Sequence, residues 1–482
     1  MKNNFKKMMS AAGICVCLIT AFLSGCGSDG QKTGEIYNID WYLVQGTTPT
    51  DEATVEAAVN EYLQEKGVLA TLDMHYLGWG EYDRKVNLMI SGGEKFDICY
   101  TSAGNGYRNN ATKNAFMPLD ELIDKYAPKT KEILGEDFLE GSRVNGKIFG
   151  IPANKDKGHH NGVMYRTDIA EKYGLTEQLQ SAESMNDIYP ILDMIKEKEP
   201  DMIPLLEYGV YSEATLLEFD TILFPAGIYL DGRDNIVVNL IETPEFKELT
   251  MKTRENFEKG YNVKGFGVKK EKHFMEFVGL KPGKDKEMAG SRDYDYTQID
   301  GLNDAYMTTA DATGSLMAIS NTSKNPEVCM QFLELFNTDE YLNNLIVFGV
   351  EGVHYNKVDD KVIEPIKDSG YGNAGMQWEF GNTFLNYTLV GEDVNKNALM
   401  EEYNKNLLVS PSLGFSFDVT PVKIEAGACE NVRAEFHERL GQGDEANQEE
   451  ILNQYIVKLK AAGSDKIVEE VQKQYDEWRA QK

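Results

Sequence analysis

Three runs between residues 35 and 100 decide the fold: Glu35-Ile36-Tyr37-Asn38-Ile39-Asp40-Trp41-Tyr42-Leu43, then Val68-Leu69-Ala70-Thr71-Leu72-Asp73-Met74-His75-Tyr76, then Phe96-Asp97-Ile98-Cys99-Tyr100. Each is rich in β-branched and aromatic residues and is bounded by turn formers, so each reads as a strand. Between the first two, Gly46-Thr47-Thr48-Pro49 makes a turn, and Thr50 reads as the cap of a helix with Asp51 and Glu52 in its first turn, where negative charge suits the helix dipole. Val55, Ala58, Val59, Tyr62 and Leu63 recur at helical spacing before Gly67 stops the pattern. Glu81–Ile90 reads as a second helix, ended by Gly92-Gly93. Strand, helix, strand, helix, strand at this spacing predicts two βαβ units and a parallel sheet covered by helices. Ligands of such sheets sit outside the carboxyl ends of the strands. Those ends carry Trp41 and Gln45, then Trp79, then Tyr100, Thr101, Asn105 and Tyr107, the candidate ligand contacts of this half.

Working outward, the N-terminus has the form of an export signal. Lys2, Lys6 and Lys7 precede an apolar run, Met8 to Leu23, interrupted only by Ser10 and Thr20. That is shorter than the roughly 20 residues a spanning helix needs and fits a signal-peptide core. The run ends in Leu23-Ser24-Gly25-Cys26, followed by Gly27-Ser28-Asp29-Gly30, which resembles a bacterial lipobox. The expectation is a lipoprotein signal over 1–25, cleavage before Cys26, acylation of its thiol, and a lipid-anchored tether over 26–34 on the outer face of the cell membrane. No later stretch is long and apolar enough to suggest a membrane span. Cys99, Cys329 and Cys429 are odd in number and widely separated, so they read as small buried hydrophobes rather than a disulfide framework.

The remainder continues the mixed pattern. Val144-Asn145-Gly146-Lys147 reads as a hairpin, residues 161–260 mix strands and helices, and Gly279 to Gly301 is polar and glycine-rich. Ser315–Ser320 reads as a strand. Asn325 caps a helix with Pro326 at its first position, and two helices, about 447–461 and 465–480, close the chain around Gly463. Ile467, Val471, Tyr475 and Trp478 give the last one its apolar stripe.

With 482 residues the chain is long enough for two large lobes or roughly three domains, and 41% apolar residues supply real cores. Its 78 acidic against 49 basic side chains leave a net charge of −29, which repels phosphate backbones and excludes nucleic acid as a natural partner. No G-x-S-x-G, H-E-x-x-H or Walker A motif occurs. Gly370-Tyr371-Gly372-Asn373-Ala374-Gly375 matches G-x-G-x-x-G, but a polar run precedes it and no helix start follows, so it does not read as a dinucleotide site. His159-His160 beside Asp156 lacks a third ligand at suitable spacing and reads as a solvent-facing loop pair. No cofactor, metal or catalytic residue is therefore expected. The segment Met376-Gln377-Trp378-Glu379-Phe380-Gly381-Asn382 is dense in side chains that stack on a pyranose face and bond its hydroxyls. It adds Trp378 and Phe380 to the candidate contacts.

A family resemblance enters at these residues. Trp79-Gly80-Glu81-Tyr82-Asp83-Arg84-Lys85, Ile90-Ser91-Gly92-Gly93-Glu94-Lys95-Phe96-Asp97, Pro118-Leu119-Asp120-Glu121-Leu122 and Ile151-Pro152 resemble the family-1 extracellular solute-binding proteins of ABC importers, and more narrowly the lipoprotein-A-like members of Gram-positive bacteria. Thr322-Ser323-Lys324-Asn325-Pro326-Glu327 and Phe384-Leu385-Asn386-Tyr387 resemble that subgroup's C-terminal region of unknown function. The resemblance implies an α/β fold of two lobes with a ligand cleft between them and crossover hinge strands. On that basis lobe 1 is expected to hold 35–153 plus 305–355, and lobe 2 to hold 154–304 plus 356–482. The crossings are expected near 152–156, 300–312 and 352–365. It also implies that Trp378 reaches the cleft from the second lobe and faces Trp79 across it. Tyr165, Phe224 and Tyr229 are further aromatic candidates on composition alone. The function implied is a monomeric, lipid-anchored, non-enzymatic receptor that captures an oligosaccharide by lobe closure and delivers it to a membrane permease. A lipid-anchored glycoside hydrolase, or the same receptor taking a peptide or other small solute, shares these sequence features.

Overall fold

The structure is a computed structural model that describes residues 35–46, 48–206, 210–263, 272–289, 294–372 and 375–482. The expected signal over 1–25, the expected tether over 26–34 and Cys26 lie outside the described residues, as do Asn373 and Ala374 of the glycine motif. From residue 36 onward the chain forms one compact unit.

The first lobe is built on the predicted βαβαβ. The strand β1 (Tyr37–Val44) leads to the helix α1 (Glu52–Glu65), then β2 (Ala70–Leu77), α2 (Trp79–Gly92) and β3 (Ile98–Thr101). β1 lies between β2 and β3 and is parallel to both, with Trp41 opposite Met74 and Ile98. The strand Leu316–Ile319 returns antiparallel beside β3 and pairs Ile151–Pro152 at the edge. α1 begins one residue later than its expected cap: Asp51 stands at the cap position and accepts a hydrogen bond from Thr54 Oγ1 at 2.6 Å. It buries Val55, Val59 and Leu63. α2 begins at Trp79, two residues before the expected start, and buries Tyr82, Val86 and Met89. Gly93 ends it with φ of 65°, a conformation that glycine adopts without strain. Asn325 caps the helix Pro326–Thr338 through Oδ1, as its sequence implies.

The second lobe carries a four-stranded sheet in the order Tyr296–Ile299, His160–Arg166, His273–Leu280, Ile203–Leu206. Its second core packs the helices Lys423–Gly441, Gln448–Ala462 and Ser464–Arg479 against the small sheet Phe219–Leu223, Ala226–Tyr229 and Val237–Asn239. The final helix begins at Ser464 itself, with Gly463 preceding it. Ile467, Val471 and Tyr475 are fully buried, and Trp478 is partly buried on the same core. Cys99, Cys329 and Cys429 are free and buried, in keeping with their reading as apolar filler. No helix among the described residues is long and apolar enough to cross a membrane.

Core membership fixes where the chain passes between the lobes. Ile151 belongs to the first core and Val163 to the second lobe; Ile299 belongs to the second lobe and Met307 to the first core; Leu413 belongs to the first core and Phe415 to the second lobe. The third change of core falls between Leu413 and Phe415, whereas the third crossing was expected near 352–365. Ile363, Tyr371, Phe380 and Tyr387, expected in the second lobe, bury themselves in the first core instead. The crossing segments bind one another: His159 pairs with Tyr306, and Tyr306–Met307 runs parallel to Leu408–Val409.

Candidate ligand-binding site

Trp79 is the first residue of α2, just beyond the end of β2, and 46% of its surface is exposed. Trp378 sits on the 3-10 turn Gln377–Glu379, where its Nε1 donates to the carbonyl of Gly375 at 3.2 Å. The two indole rings are nearly parallel, 8° apart with centroids 6.0 Å apart. Tyr100, at the end of β3, meets both edge-on at 6.4 and 6.3 Å. Tyr82 braces this group from α2, donating its hydroxyl to the carbonyl of Tyr100 at 2.6 Å. Burial pushes the Tyr100 phenol up to about 12, so it stays a neutral hydrogen-bonding group.

These aromatics correct one expectation. Trp378 packs on the first core, so it does not reach Trp79 from the opposite lobe. The pair is an aromatic platform on a single core, formed because Tyr371, Phe380 and Tyr387, on either side of Trp378, are buried in the core that also holds β1, β2 and β3.

Beside the platform lies a cavity of about 1030 Å³ that touches both lobes. Gln377, Trp378, Thr383 and Phe384 line it from the first lobe, and Lys281, Pro282, Gly283, Lys286 and Glu287 line it from the second. Lys155 and Asp156, on the first crossing, also line it. Asp156 lies 3.6 Å from the Lys155 ammonium and 3.9 Å from that of Lys281, which in turn lies 3.9 Å from Glu287. Charges of both signs offset one another along this wall. It presents donors and acceptors without a strong net field, and the platform adds apolar faces.

The other sequence candidates divide by burial. Trp41 has no exposed surface; its ring is ringed by Phe332, Phe336 and Phe380 at 5.3–5.8 Å, and its Nε1 points to Met317 Sδ. Phe380 is 2% exposed in the same cluster. Tyr107 is buried, donating to the Ser142 carbonyl at 2.7 Å and accepting from Phe149 N–H at 3.1 Å. These three hold the lobe together and offer a solute no surface. Gln45 and Thr101 are buried at the strand ends. Asn105 is half-buried; its amide donates to Asp83 at 2.7 Å, one turn along α2 from Trp79. Tyr165 lies in a second-lobe core; Phe224 is partly buried against the other core of that lobe, in the turn after Phe219–Leu223, and Tyr229 ends the strand Ala226–Tyr229 of the small sheet. His159 is exposed yet bonds Asp311 at 2.8 Å, while His160 is buried against Tyr403 at 3.1 Å and Asp300 at 3.4 Å. The histidine pair therefore belongs to the crossing region rather than to a free loop.

Sequence reasoning gave no site role to Tyr82, Glu379, Phe384, Lys281 and Glu287. For Glu379 a signal existed: a lone acid between Trp378 and Phe380 in an aromatic run. Its side chain has no exposed surface, and burial pushes its carboxyl well above the usual carboxylate range.

Comparison with known proteins places this geometry. Residues 46–342 match the family model described as bacterial extracellular solute-binding protein. The chain belongs to that family. Residues 411–480 of this solute-binding protein match a domain of unknown function, DUF3502; the match lies C-terminal to the 322–327 and 384–387 strings on which the resemblance to a C-terminal region of unknown function was read. The binding protein is 30% identical to a carbohydrate ABC transporter substrate-binding protein of Streptococcus pneumoniae, covering 99% of each chain. Among solved structures it resembles the N-glycan transport solute binding protein NgtS of Streptococcus pneumoniae, with a TM-score of 0.77 and 27% identity over 92% of this chain and 98% of that one. Against the same protein in complex with Man5GlcNAc the TM-score is 0.64 at 27% identity, over 92% and 99% of the two chains. These relatives bind a solute for transport, and the glycoside hydrolase reading falls with the family assignment.

Proposed function

We propose that this protein is the extracellular receptor of an ABC importer, that it captures an uncharged mannose-type oligosaccharide, and that it hands this to a membrane permease after the lobes close. The carrying observation is the aromatic platform of Trp79, Trp378 and Tyr100 beside a cavity lined by both lobes. Flat indoles cover the apolar face of a pyranose, while the balanced Asp156–Lys281–Glu287 chain and Gln377 supply hydroxyl partners. The full-length likeness to a carbohydrate-transport protein supports the solute class, and the likeness to NgtS supports a mannose-containing glycan. Because the cavity has walls on both lobes, a ligand in it favours the arrangement in which both touch it. The fall in TM-score from 0.77 to 0.64 when the relative holds Man5GlcNAc, at constant identity, supports a change in lobe arrangement on loading.

Cys26 carries the proposed membrane anchor: the apolar run and small residues before it fit acylation of an exported chain, and the monomer is held to the bilayer by that lipid. The lobes are proposed to hinge at 153–160, 300–307 and 413–415. Titration calorimetry with Man5GlcNAc, alongside small-angle scattering at saturation, tests the reading. Binding with a smaller radius of gyration is expected. Heat of binding only from a charged oligosaccharide, or an unchanged radius at saturation, overturns it.

A further inference from the structure

Beneath the platform lies a carboxyl group that direct ligand contact does not explain. Glu379 has no exposed surface. Its Oε1 accepts a hydrogen bond from the Val44 N–H, at the end of β1, at 2.9 Å. Its Oε2 is buried with no hydrogen-bond partner. Its main-chain carbonyl accepts from Ser315 Oγ at 2.5 Å. The titratable groups near it are two phenols, Tyr82 from α2 and Tyr100 from β3. Among the described residues no lysine, arginine or histidine forms an ion pair with it.

We propose that Glu379 is a positioning residue of the saccharide site: an uncharged carboxylic acid that ties the Gln377–Glu379 turn to the end of β1 and so fixes the ring of Trp378 against Trp79. An ionised carboxylate here would lose its hydration and gain no counter-charge, so the fold accommodates the protonated form. Desolvation acts in the same direction, raising the carboxyl far above its ordinary range against the single opposing bond from Val44. Two anchors, one through the side chain and one through the carbonyl, leave the preceding Trp378 little freedom to turn. A platform set before the ligand arrives loses less entropy on binding.

The affinity arm rests on the saccharide reading above; the other two arms do not. Glu379→Gln, which keeps size and removes the charge option, is expected to bind Man5GlcNAc like the wild type. It should also keep the near-ultraviolet circular dichroism of the stacked indoles. Glu379→Ala is expected to weaken binding about 5- to 150-fold, the range for losing a well-ordered aromatic contact, and to diminish that dichroism. Glu379→Asp, one methylene shorter, serves in its place if the alanine variant does not fold. For protonation, denaturant unfolding from about pH 5 to about pH 7 is the readout. A group protonated when folded and ionised when unfolded makes the wild type lose folding constant relative to Glu379→Gln by about tenfold per pH unit. Parallel stability curves for the two would overturn the uncharged state. Unchanged affinity and dichroism in Glu379→Ala or Glu379→Asp would overturn the positioning role. If no variant binds a saccharide while the dichroism and pH arms hold, the solute reading fails and the role of Glu379 stands.

Discussion

Replacing Trp79 by alanine separates a ligand platform from a packing residue. With 46% of its surface exposed, and with a tryptophan able to bury up to about 250 Å², Trp79 has roughly 100 Å² left for a ligand to cover. At about 25 cal/mol per Å² that area is worth roughly 2–3 kcal/mol. Imperfect coverage and the ordering of ligand and side chain take part of it back. The expected loss on Trp79→Ala is therefore about 1–3 kcal/mol, or about 5- to 150-fold in Kd. Thermal stability should fall little, because the removed ring is half in solvent and its main neighbour, Trp378, keeps Tyr100 on its other edge. Trp41→Ala is the control. Its ring is enclosed by Phe332, Phe336 and Phe380, and its truncation should cost about 3–5 kcal/mol of stability. Titration calorimetry with Man5GlcNAc and thermal melts of both variants give the two numbers. If Trp79→Ala binds as the wild type does, or melts as early as Trp41→Ala, the platform assignment is wrong.

Two further outcomes concern the frame around the site. Gly381 has φ of 71°, and a Cβ there would lie 2.8 Å from both Phe336 and Asn343; Gly381→Ala should cost about 1–3 kcal/mol through strain and overpacking, and an unchanged denaturation midpoint would refute this. The hydrogen bond to Asp311 holds His159 above its ordinary imidazole pKa. The stabilisation this pair provides is fully present below about pH 6.5 and is lost as pH rises through the raised folded value. Melts across that window should therefore decline in the wild type and flatten in His159→Gln, whereas identical slopes would show that the pair contributes nothing at the crossing.

The sheet, its helices and the cap at Asn325 were legible because each rests on local chemistry: apolar spacing, turn residues and caps. The site was legible only in part. Trp79 and Trp41 look alike as aromatics near strand ends, yet Ile39, Trp41 and Leu43 occupy one alternating face of β1 and are all buried. That alternation was present in the sequence and marks Trp41 as core. Trp79 follows Gly78 at the start of a helix, outside the strand pattern, where a side chain can reach solvent. The core joined by the apolar side chains after residue 356 was not legible, for a different reason. Ile363, Tyr371, Phe380 and Tyr387 are spaced irregularly among short strands and turns, and nothing local says which core an isolated apolar side chain will join. The same ambiguity hid the fact that Trp378 and Trp79 share a lobe.

The triple passage of the chain also governs when the protein can become itself. The first lobe is assembled from residues far apart in sequence: β3 has a bare edge until Leu316–Ile319 arrives, and Trp41 lacks one wall of its enclosure until Phe380 does. A chain emerging from its N-terminus therefore cannot close that lobe until most of its length is available, and pairings of such long sequence separation form slowly. In a family that works outside the cell, late maturation favours export, since a chain whose lobes have not closed is still threadable. Circular permutants that join the existing ends and reopen the chain near the third passage would bring Leu316–Ile319 and Phe380 no closer to β1, but would let the helices after Phe415 fold first.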